Sequence, residues 1–189
     1  TLYDPDEYPC KIAGEVSDFD PGRYINPKEA RRMARFSQLA VAAAAVAVED
    51  SGLDLSREDP ERLGVVIGNG IGGFPTTEEA ARVLIDRGGM RISPYFIPMI
   101  LPNMAAAAVS RYTGAHGSNS TATTACAASN QALGEAVDTI RSGRADVMLA
   151  GGTQAGISLL GLSGFAVMRA LSTRNDEPQK VSRPFDSGR

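Results

Sequence analysis

The sequence is poor in the residues that build metal sites and disulfide networks. Its 189 residues include one histidine, His116, and two cysteines, Cys10 and Cys126. Two cysteines are too few for a disulfide framework, and a single histidine excludes a multi-histidine metal centre within the chain. We therefore expect no metal, and the cysteine usage favours a reducing cytoplasm. We expect His116, in a Gly-Ala-His-Gly segment, to be a surface loop residue and not a catalytic one.

Long apolar runs and excess positive charge are missing as well. The longest uncharged apolar run covers residues 39–48, about half of the roughly 20 residues that a bilayer span requires. The 19 lysines and arginines are outnumbered by 22 acidic residues, which gives a net charge of −3. Proteins that bind polyanions are usually basic. Neither a membrane nor a nucleic acid is therefore expected as a partner.

Predicted strands alternate with predicted helices along the chain. The run 63–68, Leu-Gly-Val-Val-Ile-Gly, has no polar alternation, which is typical of a strand buried in a parallel sheet. The alanine-rich stretch 36–51 predicts a buried helix that ends at Gly52. The alternation predicts an α/β fold with a largely parallel sheet covered on both faces. Further strands are predicted at 11–16, 120–125 and 145–150, and further helices at 76–87, 103–112, 127–142 and 158–168, with a helical turn from Pro27 to near Met33.

Cys126 lies where a predicted strand of small residues turns into a helix. Such a turn exposes the sulfur and directs the positive end of the helix dipole toward it. It also leaves backbone N–H groups near the sulfur that can stabilise an oxyanion. The same cysteine fits an inert buried thiol, because free cysteine is among the most buried residue types. Position alone leaves both interpretations open.

The segment Thr124-Ala-Cys-Ala-Ala-Ser129 resembles the nucleophile segment of the β-ketoacyl-[acyl-carrier-protein] synthases of bacterial type II fatty acid synthesis. Within that family, the similarity points to the synthase II elongating enzymes. Other segments resemble the same family in the same order along the chain. They are 28–33 (Lys-Glu-Ala-Arg-Arg-Met), 68–73 (Gly-Asn-Gly-Ile-Gly-Gly), 93–98, 102–106, 145–152, 164–173 and 182–186.

The resemblance implies a thiolase-like fold, whose two βαβαβαββ halves form a five-layered α-β-α-β-α protein. Residues 1–189 would be most of the N-terminal ketosynthase domain, without its first strand and helix and without the C-terminal half. The implied reaction transfers an acyl group to Cys126 and then condenses it with decarboxylating malonyl-[acyl-carrier-protein]. The backbone N–H of Cys126 would be one oxyanion donor. No cofactor is expected, because the acyl carrier protein brings its own phosphopantetheine arm.

Four residues match acyl-pocket positions of the family. Ile71 matches the tunnel wall near the thioester, and Phe96 a residue that closes the tunnel from the neighbouring subunit. Gly161 and Phe165 match the pocket wall. A fatty chain needs an apolar wall of this kind, but ordinary core packing explains each of these residues equally simply.

Five basic residues match positions that dock the acyl carrier protein: Lys28, Arg31, Arg32, Arg91 and Arg169. The first three have i, i+3, i+4 spacing and are predicted to share one helical face. A basic patch would steer an acidic carrier protein to the pocket. A solvated charged face is the simpler alternative for any single arginine.

Three alternatives follow from the same residues. The Gly-x-Gly-x-x-Gly match at 68–73 suggests dinucleotide binding, but the acidic residue expected about 20 positions later is absent. A non-catalytic chain-length factor would lack the cysteine, and a polyketide ketosynthase more often has serines after it. The family also implies a homodimer, in which the 120–125 strand pairs with its twin and covers the sheet edge.

Overall fold

The computed structural model describes residues 3–187, so the ends of the predicted 1–189 domain lie outside the described residues. The chain divides into two units. Asp20–Ala155 form the first, and residues 3–19 with 156–187 form the second. The sheet and most of the helices belong to the first unit. No helix within residues 3–187 combines the length and the apolar character that a bilayer crossing demands.

A parallel sheet lies at the centre of the first unit. Its strands are β1 (Leu63–Gly68), β2 (Asn119–Ser120) and β3 (Val147–Gly152), in the order β2-β1-β3. Val65 of β1 pairs with Asn119 of β2, and β1 pairs with β3 along its whole length. Every residue of β1 is buried, as expected for a central strand covered on both faces. The predicted α/β class with a parallel sheet is confirmed.

Four helices begin or end at a residue that caps them. Gly52 and Gly114 take left-handed conformations (φ 67° and 72°) just after two of them, the conformation that glycine adopts at lowest cost. Asn26 and Ser158 cap two others through side-chain oxygens that accept backbone N–H groups. The helices are α1 (Pro27–Ala30), α2 (Arg35–Ser51), α3 (Phe74–Arg87), α4 (Phe96–Ile100), α5 (Met104–Thr113), α6 (Ala128–Arg141) and α7 (Leu159–Val167).

The two faces of the sheet carry different cores. Val65 and Ile67 pack with α2 and α5 on one face, in a cluster that includes Phe36 and Val109. Val66 points to the other face, where it packs against small residues of α6 such as Ala132. Because successive strand residues point to opposite faces, β1 packs against a helical layer on each side, and alternate residues of β3 join the same two clusters.

Two predicted strands are not found as predicted. Residues 11–16 form no strand. Lys11 donates its backbone N–H to the Asn175 side chain, and the described residues of the second unit contain no strand to pair with it. The 120–125 strand is reduced to Asn119–Ser120. Residues 121–124 belong to no strand, and the chain then turns at Ala125 (φ 50°) into a short 3₁₀ helix. The last strand begins two residues later than predicted, at Val147.

Candidate active site

Cys126 lies in the turn that connects the edge strand β2 to α6. The turn is a 3₁₀ helix, Ala125–Ala127, followed directly by α6. Ala125 has a positive φ of 50°, which costs a non-glycine residue roughly 1 kcal/mol or more. Cys126 itself is exposed. The chain therefore presents the sulfur on a strained turn at a helix start, and the alternative of a thiol sealed in the core is wrong.

The backbone around Cys126 includes one N–H group without a partner. Ala127 donates its N–H to the Thr124 carbonyl at 3.0 Å, and Ala128 donates to the Ala125 carbonyl. No acceptor for the Cys126 N–H occurs among the described residues. A free N–H beside a sulfur, at the positive end of a helix, can stabilise negative charge on an oxygen bonded nearby.

Two glycines bring the first turn of α6 against the ends of β1 and β3. A Cβ on Gly68 would lie 2.2 Å from the Ala128 carbonyl oxygen, and one on Gly152 would lie 2.5 Å from Ser129 Cβ. No side chain fits at either place. The absence of a side chain therefore sets how closely the Cys126 turn sits on the carboxyl ends of these strands.

A glycine-rich loop, residues 68–73, lies beside the Cys126 turn. Asn69 is 1% exposed, and its backbone N–H donates to the Ala122 carbonyl at 2.9 Å. Its side-chain nitrogen donates to the Thr153 carbonyl at 2.7 Å, and its side-chain oxygen accepts the Gly72 N–H at 2.6 Å. A Cβ on Gly70 would lie 3.7 Å from Ala125 Cα. The loop that carries Ile71 is thus joined to the cysteine segment.

Gln154 makes a second set of contacts with this loop. Its side-chain oxygen accepts the N–H groups of Gly70 at 3.1 Å and Ile71 at 3.2 Å, and its nitrogen donates to the Gly72 carbonyl at 3.3 Å. Sequence reasoning missed both Asn69 and Gln154. Asn69 directly follows Gly68, which ends β1, and Gln154 lies two residues after Gly152, which ends β3. Polar residues at the carboxyl ends of parallel strands are the signal that identifies them.

Phe96 begins α4, which packs on the same loop. Gly73 donates its N–H to the Ile100 carbonyl at 3.1 Å, and a Cβ on Gly72 would lie 2.2 Å from that oxygen. Phe96 is partly buried, whereas Ile71 is 43% exposed. An open groove of about 400 Å³ borders Phe96; it is lined by Arg31, Pro75, Thr76, Glu79, Ala80, Val83, Ile92, Ser93 and Met99.

The remaining pocket residues lie in the second unit. Gly161 is buried in α7, where its N–H donates to the Ser158 side-chain oxygen at 3.1 Å. Phe165, on the same helix, is 47% exposed. Arg169 follows α7 with a left-handed φ of 56° and is exposed.

The basic residues of the first unit are exposed, but they do not share one helix. Helix α1 ends at Ala30, with Arg31 as its C-cap. Helical turns continue to Met33, because Arg32 donates its N–H to the Glu29 carbonyl and Met33 donates to the Ala30 carbonyl. That Lys28, Arg31 and Arg32 share one face stays a prediction. The guanidinium of Arg32 lies 5.1 Å from the centre of the Tyr95 ring, a cation–π contact. Arg31 lines the groove beside Phe96. Lys28 lies in α1, and Arg91 in a separate 3₁₀ turn.

An ion pair joins the amino-terminal ends of β1 and β3, away from Cys126. Arg62, just before β1, pairs with Asp146, just before β3, and donates to the Gly143 carbonyl at 3.2 Å. The hydrogen bond from Arg62 lowers the pKa of Asp146 below its usual value. His116 is exposed, 3.7 Å from the Glu61 carboxylate. No cluster of three or more metal-ligating side chains occurs within residues 3–187.

Three solved structures that this chain resembles are ketosynthases or complexes that contain one. A beta-ketoacyl synthase from Burkholderia phymatum has a TM-score of 0.82 at 30% identity, over 96% of this chain and 45% of that one. The ishigamide ketosynthase/chain length factor has a TM-score of 0.83 at 30% identity, over 91% and 43%. A type II PKS acyl-carrier protein complex with its ketosynthase gives 0.76 at 30% identity, over 82% and 45%. The fold is therefore that of a ketosynthase, thiolase-like in class.

Sequence relatives point to the same class. The 3-oxoacyl-[acyl-carrier-protein] synthase 2 of Staphylococcus aureus is 45% identical over 189 residues, which is 100% of this chain and 47% of that protein. The synthase 2 of Synechocystis sp. is 43% identical, over 100% and 45%. The chain thus spans a little under half of these relatives. It belongs to the beta-ketoacyl synthase family, whose N-terminal domain matches residues 2–189.

Proposed function

We propose that this chain is the N-terminal half of a condensing enzyme that elongates fatty acyl chains in the cytoplasm. The first strand and helix of the domain and its C-terminal half would then lie outside residues 1–189. The observation that carries the proposal is the exposed Cys126 on a strained turn at the start of α6, beside its own unpartnered N–H. Membership of the beta-ketoacyl synthase family supports the same assignment.

The proposed chemistry has two stages. In the first, the Cys126 sulfur attacks the thioester carbonyl of acyl-[acyl-carrier-protein], and the carrier's thiol leaves as the acyl–cysteine bond forms. The Cys126 N–H stabilises the oxyanion of the tetrahedral intermediate. In the second, malonyl-[acyl-carrier-protein] loses carbon dioxide, and the carbanion attacks the acyl–cysteine to release 3-oxoacyl-[acyl-carrier-protein] and the free cysteine. The enzyme needs no cofactor of its own, because the carrier brings the phosphopantetheine arm.

The pocket and docking residues have separate tasks in this scheme. Ile71, Phe96, Gly161 and Phe165 provide the apolar wall for the acyl chain, with Phe96 acting in the tunnel of the neighbouring subunit. Five basic residues steer the acidic carrier protein: Lys28, Arg31, Arg32, Arg91 and Arg169. One relative in this fold is solved in complex with an acyl-carrier protein, which supports a carrier as the partner.

The family relationship also leads us to propose a homodimer. Strand β2 is an edge strand of only two residues, and its outer side is unpaired among the described residues. An edge of this kind is usually covered by another chain or element. Pairing of the 119–125 segment with its twin would cover it.

The experiment is intact-protein mass spectrometry of the full-length protein after incubation with acyl-[acyl-carrier-protein]. Wild type should gain one acyl group, and Cys126→Ala should gain none. The matched control is Cys10→Ala, because Cys10 is only 4% exposed and donates its S–H to the Ile12 carbonyl. Acylation that survives Cys126→Ala would refute the assigned nucleophile.

The 189-residue chain by itself should not release carbon dioxide from malonyl-[acyl-carrier-protein]. Decarboxylation in the family uses two histidines and a lysine of the second half, and His116 is an exposed residue at the other end of the sheet from Cys126. Carbon dioxide release from residues 1–189 alone would contradict this division of roles.

A polyketide ketosynthase is the second candidate, because a type II PKS ketosynthase complex has this fold. Ala127 and Ala128 after the cysteine favour the fatty acid reaction, and the presence of Cys126 argues against a chain-length factor. Product analysis separates the two: a condensing enzyme of fatty acid synthesis makes a single two-carbon extension per acyl transfer, whereas a polyketide enzyme repeats the extension on an unreduced chain.

A further inference from the structure

We propose that Gln154 is a positioning residue, whose side-chain amide holds Ile71 and thereby sets how readily acyl chains of different length reach Cys126. This inference rests on the proposed acylation of Cys126. It concerns a residue that neither sequence reasoning nor the family resemblance assigned to the site.

The geometry of Gln154 carries the argument. One side-chain oxygen accepts two successive N–H groups, those of Gly70 and Ile71, at 3.1 and 3.2 Å. The nitrogen of the same amide donates to the Gly72 carbonyl at 3.3 Å. Three consecutive residues are thus held by one planar group, which fixes both the position and the orientation of the peptide units on either side of Ile71.

The clamp acts on a segment that has little other support of its own. Gly70 and Gly72 lack side chains, and Ile71 is 43% exposed. Asn69 anchors one end of the loop through Gly72, and Gly73 anchors the other through the Ile100 carbonyl. Between these anchors, the Gln154 oxygen is the acceptor for the N–H groups of Gly70 and Ile71. Loss of the amide would therefore free the Ile71 backbone more than the rest of the loop.

Gln154 is itself held in place from the sheet. It follows Thr153, whose N–H donates to the Gly68 carbonyl at 3.0 Å and whose hydroxyl donates to the Phe36 carbonyl at 2.7 Å. The amide is thus attached through Thr153 to the end of β1 and to α2, and its side chain reaches the glycine-rich loop 68–73. A group mounted in this way is suited to positioning, because its own backbone cannot follow the loop.

The loop also reaches the cysteine turn. A Cβ added to Gly70 would lie 3.7 Å from Ala125 Cα. Asn69 donates its backbone N–H to the Ala122 carbonyl. The loop that carries Ile71 therefore lies against Ala125, the residue before Cys126. The first carbons of an acyl chain bound to Cys126 would lie here, so a shift of Ile71 would move the pocket wall beside them.

The test uses the full-length protein with two substitutions of Gln154. Gln154→Met removes acceptor and donor at nearly constant length, whereas Gln154→Glu keeps an acceptor for the Gly70 and Ile71 N–H groups. The matched control is Gln38→Met, because Gln38 likewise donates to backbone carbonyls, those of Ala30 and Met33. Two quantities are measured: hydrogen exchange of residues 68–73, and the rate of Cys126 acylation by carrier proteins loaded with short and long acyl chains.

Gln154→Met should speed exchange of the Gly70 and Ile71 N–H groups by about fivefold each, since each loses one hydrogen bond worth a factor of about five. The long-to-short ratio of acylation rates should change by a similar factor. Gln154→Glu keeps the acceptor but loses the donor to the Gly72 carbonyl, so both quantities should lie between those of wild type and Gln154→Met. Gly70→Ala should act in the same direction as Gln154→Met, because its Cβ would lie 3.2 Å from the Gln154 oxygen. Gln38→Met should leave the ratio unchanged.

An unchanged ratio in Gln154→Met, or an equal change in Gln38→Met, would overturn the inference. Faster exchange with an unchanged ratio would also overturn it, because the clamp would then be structural only. A wild-type protein that takes no acyl group would instead refute the proposed function, and the exchange data would show separately whether the loop depends on Gln154.

Discussion

Replacing Gly68 by alanine should displace the catalytic turn without touching any reactive group. The new Cβ would lie 2.2 Å from the Ala128 carbonyl oxygen, 2.3 Å from its carbon and 2.6 Å from the Ser129 nitrogen. All three are backbone atoms, so no side chain can rotate away. Ordinary carbon contacts begin near 3.5 Å, so the first turn of α6 has to retreat by roughly 1 Å.

Two measurable effects follow from this displacement. Overpacking of this kind costs about 1–3 kcal/mol in the free energy of unfolding. A misplacement of about 1 Å in a reacting group lowers its rate by about 10²-fold. We therefore expect Gly68→Ala to acylate Cys126 about a hundred times more slowly than wild type, while remaining folded.

The assay is rapid-quench acylation followed by intact-protein mass spectrometry, with urea unfolding of the same samples. Gly151→Ala is the matched control, because Gly151 lies in the neighbouring strand and no described atom comes within 4 Å of its added Cβ. It should change stability by no more than about 0.5 kcal/mol. Acylation of Gly68→Ala at a rate near that of wild type would refute the argument that this close approach positions the cysteine.

Three further changes test other parts of the structure. Asn69→Ala should lower the free energy of unfolding by about 3 kcal/mol, since it leaves the buried Gly72 N–H without an acceptor; an unchanged urea midpoint would contradict this. Asp146→Asn should destabilise the protein at neutral pH. Because Arg62 depresses the Asp146 pKa, its stabilisation is present above the unfolded pKa of about 3.9 and is lost as the pH falls through the lower folded pKa. The difference in urea midpoint between variant and wild type should therefore close in acid, and a constant difference would count against the pairing. Arg31→Glu should raise the KM for the carrier protein about tenfold at low salt with kcat little changed, and a KM shift that salt does not reduce would exclude a docking role.

The helices and the central strand were predictable because their signals are local. Leu63–Gly68 is a strand in the predicted place, since an apolar β-branched run needs no distant partner to be recognised. Helix α2 ends at Gly52 as predicted, because a left-handed residue after a helix is a local requirement. The turn at Cys126 was also predictable, from small residues running into a helix.

The errors concern elements that depend on a partner. Residues 11–16 have the composition of a strand but no strand beside them within the described second unit. The 120–125 segment pairs with β1 only at Ser120, and the chain turns into a 3₁₀ helix at Ala125. In both cases the structure depends on whether another strand pairs with the segment, and a local sequence pattern does not contain that information.

Local sequence alone thus determined an α/β chain with a cysteine at the start of a helix, because hydrophobic period, helix stops and turn residues act over a few neighbouring positions. Only the tertiary structure decided how closely that helix approaches Gly68 and Gly152, and which side chain holds Ile71. Gln154 and Ile71 are separated by 83 positions in the chain. They meet because β1 and β3 run side by side in parallel, and pairing between strands is set by the packing of the whole sheet.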